Sequence, residues 1–213
     1  MAQARPSLRE WSAEKIKYEI IESFHKMSGG EKFSLADATA RNLWSANNVD
    51  RVLYGITQAN YSATHATGLT ALDNSADKLS TVMGSLAKFM ARTANPHIRP
   101  FKTGTQGREF YVMFCHPLCF RDLKADSVMT AVNRDARPRD VDANPLFQDG
   151  DLIYDGVIYR EIPEFYTARQ GTGVNPETTF SNGTIQCGVN FLCGAQAIGY
   201  VNKQAAMPTS KKE

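Results

Sequence analysis

The residues with the strongest chemical character lie in the second half of the chain, where Cys115, His116 and Cys119 fall within five positions and Cys187 and Cys193 follow downstream. Thiolate and imidazole are the ligand types zinc uses. A metal-dependent enzyme built on Cys115, His116 and Cys119 is therefore one reading. The spacing argues against it, because no second close cysteine pair follows and Cys115 ends the apolar string Tyr111-Val-Met-Phe-Cys115. Buried thiols in such strings behave as small hydrophobes. In a reducing compartment they stay unpaired, so no disulfide is expected.

Other spacings suggest chemistry and then fail on detail. Ser12 to Lys15 and Ser85 to Lys88 each match Ser-x-x-Lys, but without the companion strings of the enzymes that use that pair. Asp140, Asp142, Asn144 and Asp151 occupy the first, third, fifth and twelfth places of a calcium loop. Pro145 stands where that loop needs glycine, and an aspartate stands where a bidentate glutamate closes it. His25, His65, His97 and His116 are dispersed, and only His116 has a cysteine beside it in sequence. Neither Gly104-x-x-Gly107 nor Gly171-x-Gly173 has the lysine of a phosphate-binding loop. No catalytic or cofactor-binding residue is assigned.

The elements that must position these residues are read from periodicity. Ser7 and Glu10 form a capping box, after which Leu8, Trp11, Ile16, Ile20, Phe24 and Met27 recur at helical spacing until Gly29-Gly30. A short helix is predicted over 34–44 and a long one over 70–93, stopped by Asn95-Pro96. The period then changes to that of strands at 98–103 and 109–114, joined by a turn at Gly104 to Gly107. Pro117 opens a helix to about Asn133, and a Pro- and Asp-rich connection runs to Gly150. Asp155-Gly156 between two apolar triplets predicts a tight hairpin. A Gly- and Thr-rich loop follows over 168–183, then a strand at 185–192 and a polar tail from Pro208. The fold class is α+β, with residues 1–100 mainly helical, 101–207 mixed helix and strand, and 208–213 the tail.

Composition sets the outer limits. Apolar residues are 42% and charged residues 22%, with 24 basic against 22 acidic side chains and a net charge of +2. These values are ordinary for a folded domain of 213 residues and exclude wholesale disorder. With no cationic block, a dedicated nucleic-acid binder is disfavoured. Met1 to Arg9 lacks the apolar core of a secretory signal, and no run approaches the roughly 18 apolar residues of a membrane span. The expected compartment is the cytosol.

Six ordered strings carry a resemblance: Ile98-Arg-Pro-Phe101, Glu109 to Pro117, Arg121-Asp-Leu-Lys124, Asn144-Pro-Leu-Phe147, Tyr154-Asp-Gly-Val157 with Glu161-Ile-Pro163, and Leu192-Cys-Gly-Ala-Gln-Ala197. Together they resemble the N-four-like family of tailed-phage major capsid proteins. The resemblance implies the HK97-like capsid fold, with a peripheral domain of spine helix and sheet and an axial domain beside the symmetry axes. The hairpin at Asp155-Gly156 and the 168–183 loop would then lie in the axial domain. Family members are longer, so the chain is expected to be incomplete at both ends.

The implied role is a non-enzymatic structural subunit that self-assembles into hexamers and pentamers around double-stranded DNA. Scaffold, portal and decoration proteins would be its partners, the host cytoplasm its place of assembly, and the virion its destination. It implies no cofactor and no membrane. Phe147, Phe165, Tyr166 and Phe180, aromatic residues in predicted loops, are candidate contacts between subunits. An adaptor in a bacterial complex is a further alternative to the capsid and metal-enzyme readings.

Overall fold

In the computed structural model, residues 4–73, 75–103, 107–135, 151–166, 178–183 and 185–199 are described. Helix α1 spans Ala4–Phe24, so Ser7 and Glu10 lie inside it and do not cap it. Its apolar stripe is buried only toward the C-terminal end, at Ile21, whereas Leu8 and Trp11 are 63% and 60% exposed. The helix stops five residues short of Gly29. Gly29 and Gly30, both at positive φ, form a turn that brings Lys26 opposite Lys32. The backbone freedom of glycine is spent on that reversal and not on a helix cap.

Helix α2 covers Ala38–Asn47, later than predicted because the Asp37 carboxylate caps it, accepting from the Ala40 N–H at 2.7 Å. The long helix predicted over 70–93 is divided. A short helix α3, His65–Thr70, and a single 3-10 turn precede helix α4, Thr81–Thr93. The Ser80 hydroxyl caps α4.

Strands β1, Phe101–Thr103, and β2, Arg108–Cys115, pair antiparallel. The predicted helix from Pro117 is two helices, α5 (Pro117–Ala125) and α6 (Ser127–Asp135). The reason is Asp126, whose carboxylate accepts from the Val128 N–H and also from the Thr81 N–H and hydroxyl, the last two at 2.8 Å. Burial alone would raise the Asp126 pKa, but the hydrogen bonds from Thr81 and Val128 outweigh it and hold the group below the usual carboxylate value. One side chain thus starts α6 and ties α4 to α5.

Strands β3, Leu152–Tyr154, and β4, Val157–Glu161, form the predicted hairpin, with Asp155 at φ 47° and Gly156 at φ 73°. Both central residues have positive φ, as a tight two-residue turn requires. Strand β4 runs parallel to β2, with Tyr111 opposite Val157 and Cys115 opposite Glu161. The single strand predicted over 185–192 is likewise two. Strand β6, Gln186–Gly188, pairs with β5, Thr179–Ser181, in a separate hairpin, whereas β7, Phe191–Cys193, joins the other edge of β2. Asn190 separates them by turning its side-chain Oδ1 to accept from the His116 N–H at 2.8 Å.

Alternation along β2 and β4 sorts side chains between two faces. Tyr111, Met113, Cys115, Val157 and Tyr159 are buried on one face, under Leu79, Met83 and Ala87 on the α4 side and Phe120, Leu123 and Met129 on the α5–α6 side. Phe114 and Phe191 lie on the other face beneath the end of α1, with Phe24 ring centroids 5.5 and 5.2 Å from theirs. A separate aromatic cluster of Phe33, Trp44, Tyr54, His65 and Phe180 holds α2, α3 and β5 together.

Helix α4 meets the sheet at Gly84, where a methyl group would overlap the Tyr159 hydroxyl and stand 2.8 Å from its Cζ. Gly84→Ala should therefore destabilise the fold by about 1–3 kcal/mol despite its better helix propensity. The Tyr159 hydroxyl is buried with no hydrogen-bond partner among the described residues. Tyr159→Phe is accordingly expected to be neutral or stabilising and to recover part of the Gly84→Ala loss, as urea unfolding of the two single variants and the double variant would show. Asp126→Ala, which leaves Thr81 and the α6 start without their acceptor, should cost about 1–3 kcal/mol in the same measurement.

Candidate functional site

The Cys115, His116 and Cys119 group sits where β2 ends and α5 begins. His116 is fully buried. Its Nδ1 accepts from the Leu118 N–H at 3.2 Å, capping α5, so Nε2 carries the proton and donates to the Thr179 hydroxyl at 2.9 Å. Both ring nitrogens are therefore committed within the chain, and the Nδ1 lone pair a cation would need is already used. Burial pushes the His116 pKa down to about 4.

The thiols are similarly occupied, with Cys115 donating to the Met113 carbonyl at 3.5 Å and Cys119 to the Gly188 carbonyl at 3.6 Å. Burial raises Cys115 well above the ordinary thiol value and moves Cys119 to about 11. Neither is a ready nucleophile or metal ligand at neutral pH. Cys193 lies on β7 and donates to the Phe191 carbonyl, while Cys187 on β6 donates to that of Ile185. Among the described residues no group of three His, Cys, Asp or Glu side chains could hold a metal ion. On this geometry the metal-dependent reading of the cluster is not favoured. These residues make a helix cap and a packing seam.

Ser85 and Lys88 do act together, but on structure. Lys88 pairs with the Asp155 carboxylate at 2.7 Å and also reaches its backbone carbonyl, and the Ser85 hydroxyl donates to the same carboxylate at 3.1 Å. The hydrogen bond from Lys88, with that from Ser85, holds Asp155 below the usual carboxylate value. The result pins the β3–β4 turn to α4. The hairpin belongs to the sheet that α4 covers. Sequence reading missed the pairing because 67 residues separate Lys88 from Asp155.

The candidate subunit contacts fare differently from one another. Phe165 is fully buried in its own chain, with His25 and Phe191 rings at 5.8 and 5.5 Å. Phe180 is half-buried, its ring 5.1 Å from His65 and 6.1 Å from Phe33. Tyr166 is exposed and sets its ring edge toward His116. Phe147 lies outside the described residues, as do Asp140, Asp142 and Asn144 of the calcium-loop spacing. Asp151 is described, and its carboxylate lies 3.9 Å from the Arg160 guanidinium.

What the surface does offer is apolar area. Besides Leu8 and Trp11, the exposed large apolar side chains include Leu35, Leu43 and Val49 around α2 and Val82 and Phe89 on the outer side of α4. Spacing alone could not separate Phe89 from the inward-facing Met90 beside it. An open apolar groove of about 580 Å³ also lies between α1 and the sheet, lined by Ile16, Ile20, Phe114, Ile162 and Cys193 among others. No helix among the described residues is long and apolar enough to cross a membrane.

Comparison with known proteins gives this surface a context. The family described as phage capsid protein matches residues 1–213. The major capsid protein of Pseudomonas phage KPP25 is 32% identical over 118 residues, which is 55% of this chain and 30% of that protein. A chain of the Cyanophage Pam1 capsid asymmetric unit superposes with a TM-score of 0.64 at 41% identity, over 78% of this chain and 46% of that chain. The aligned portion is thus less than half the length of either relative. The arrangement of helices and sheet resembles that of phage capsid structures, consistent with the HK97-like fold that the sequence resemblance implies. On the match that runs from its first residue to its last, the chain belongs to the phage capsid protein family.

Proposed function

We propose that this chain is a non-enzymatic structural subunit of an icosahedral phage shell, acting by association with copies of itself into hexamers and pentamers around double-stranded DNA. The observation that carries the proposal is the family match along the whole chain, joined to a 41% identical capsid chain of like fold. Chemistry at the surface agrees with it. The groups with reactive side chains are engaged in caps and seams, whereas large apolar side chains such as Trp11, Val82 and Phe89 remain exposed. Such positions gain stability when a neighbour covers them.

In this reading α4 serves as the spine of a peripheral part that residues 1–100 help to build, and residues 101–207 supply peripheral strands and the axial part. Tyr166 and Phe180 remain contact candidates at the rim, with Phe147 on the connection before β3. Scaffold, portal and decoration proteins are the proposed further partners, with packaged DNA nearby through non-specific proximity. Assembly is placed in the host cytoplasm and the finished product in the virion.

Electron microscopy and sedimentation of the purified chain test the proposal directly. Rings of five or six subunits, or shells, are expected, and a stable monomer at high concentration would count against it. Trp11→Asp and Phe89→Asp should reduce association while changing unfolding stability by only about 0.5 kcal/mol, because both side chains already face solvent. Metal analysis of the same preparation should find less than one zinc per chain. Stoichiometric zinc lost on replacing Cys115 and Cys119 with serine would instead support metal chemistry.

A further inference from the structure

The β5–β6 hairpin is not hydrogen-bonded into the central sheet. It forms a two-stranded sheet of its own, so its place depends on side-chain contacts. Adjacent residues of a strand point to opposite sides. Thr179 and Phe180 are adjacent in β5, and each meets a buried histidine. Thr179 accepts the hydrogen bond from His116 Nε2 at 2.9 Å, and Phe180 sets its ring against His65 with centroids 5.1 Å apart. On β6, Gly188 closes on His116 so tightly that a Cβ there would stand 2.6 Å from the imidazole Cγ.

We propose that the β5–β6 hairpin is an acid-released element: protonation of His65 and His116, which grip β5 from opposite sides, undocks it while the β2–β4 sheet stays folded. His116 Nδ1 can accept from Leu118 only while neutral, so a proton there breaks the α5 cap. His65 Nδ1 meets the Tyr54 hydroxyl at 2.9 Å, and its Nε2 is buried without a hydrogen-bond partner among the described residues. A cation at either site is buried among aromatic rings and thiols.

The groups facing the two imidazoles give no compensating charge. Around His65 stand Arg41 of α2, whose charge further disfavours the imidazolium, the phenol of Tyr54 with Tyr61 packed behind it, and the rings of Phe33 and Phe180. Around His116 stand Cys119 of α5, Tyr166 and, through Cys119, Cys187 of β6. The carboxylates of Asp122 and Glu161 act on the neighbouring thiols Cys119 and Cys115, and that of Asp77 acts on Cys187. Burial lowers both histidines from 6.5 to about 4. A base whose folded-state pKa is depressed contributes its full stabilisation above the unfolded value and loses it as pH falls from about 6.5 toward 4.

Hydrogen exchange read by mass spectrometry on the full chain, corrected for intrinsic rates, tests the proposal. Between pH 7.5 and 4.5 the opening equilibrium of peptides covering β5 and β6 should rise on the order of 10- to 100-fold, with β2 and β4 protected at both. His116→Asn keeps a capping side chain and His65→Gln keeps an acceptor for Tyr54, and together they should abolish most of that rise. Titration of the two imidazoles by NMR in the unaltered chain needs no variant. It should show both protonating only near or below pH 4.5, together with loss of hairpin protection. Either imidazole protonating near pH 6.5 with the hairpin still protected, or a hairpin that opens only with the whole sheet, would overturn the proposal.

Discussion

The parallel pairing of β2 with β4 is the constraint from which the rest of the molecule follows. Parallel neighbours cannot be joined by a tight turn, so the chain must cross over between them and lay the crossover against one face. Here α5 and α6 lie in that connection, and α4 completes the cover over Tyr111, Met113, Val157 and Tyr159. With β4 on one edge and β1 and β7 on the other, β2 is fully interior. From Phe110 to Cys115 its side chains alternate between two apolar layers. The narrow approach of α4 at Gly84 sets the spacing of the thicker layer.

At the seams between these layers, polar side chains join one element to another. Asp126 ends one helix, starts the next and holds the first turn of α4. Lys88 and Ser85 meet Asp155 at the turn of the β3–β4 hairpin. His116 caps α5 and reaches across to β5. In each case a side chain with catalytic potential elsewhere is fully engaged in joining two elements.

The apolar residues divide along the same line. Those on the sheet face under α4, α5 and α6 are buried against the chain itself, and so is Phe165 in the 3-10 turn after β4. Those on the outer side of α4, along the first half of α1 and around α2 are exposed, and they supply area a neighbour can cover. The chain therefore holds two kinds of hydrophobic side chain that look alike in sequence, one buried in its own fold and one left exposed.

Local signals in the sequence were enough for the elements with short-range causes. The Asp155-Gly156 hairpin, the Pro117 helix start, the strand alternation of β2 and the mixed helix-and-strand class all follow from neighbours a few residues apart. The ordered strings carried the capsid resemblance. Tertiary contacts decided the remainder. Asp126 splits a helix by bonding to Thr81, 45 residues away, Asn190 splits a strand by bonding to His116, 74 residues away, and the stripe on α1 stays exposed at Leu8 and Trp11. Periodicity reports which residues share a face, whereas only the packed chain determines whether that face has anything to meet.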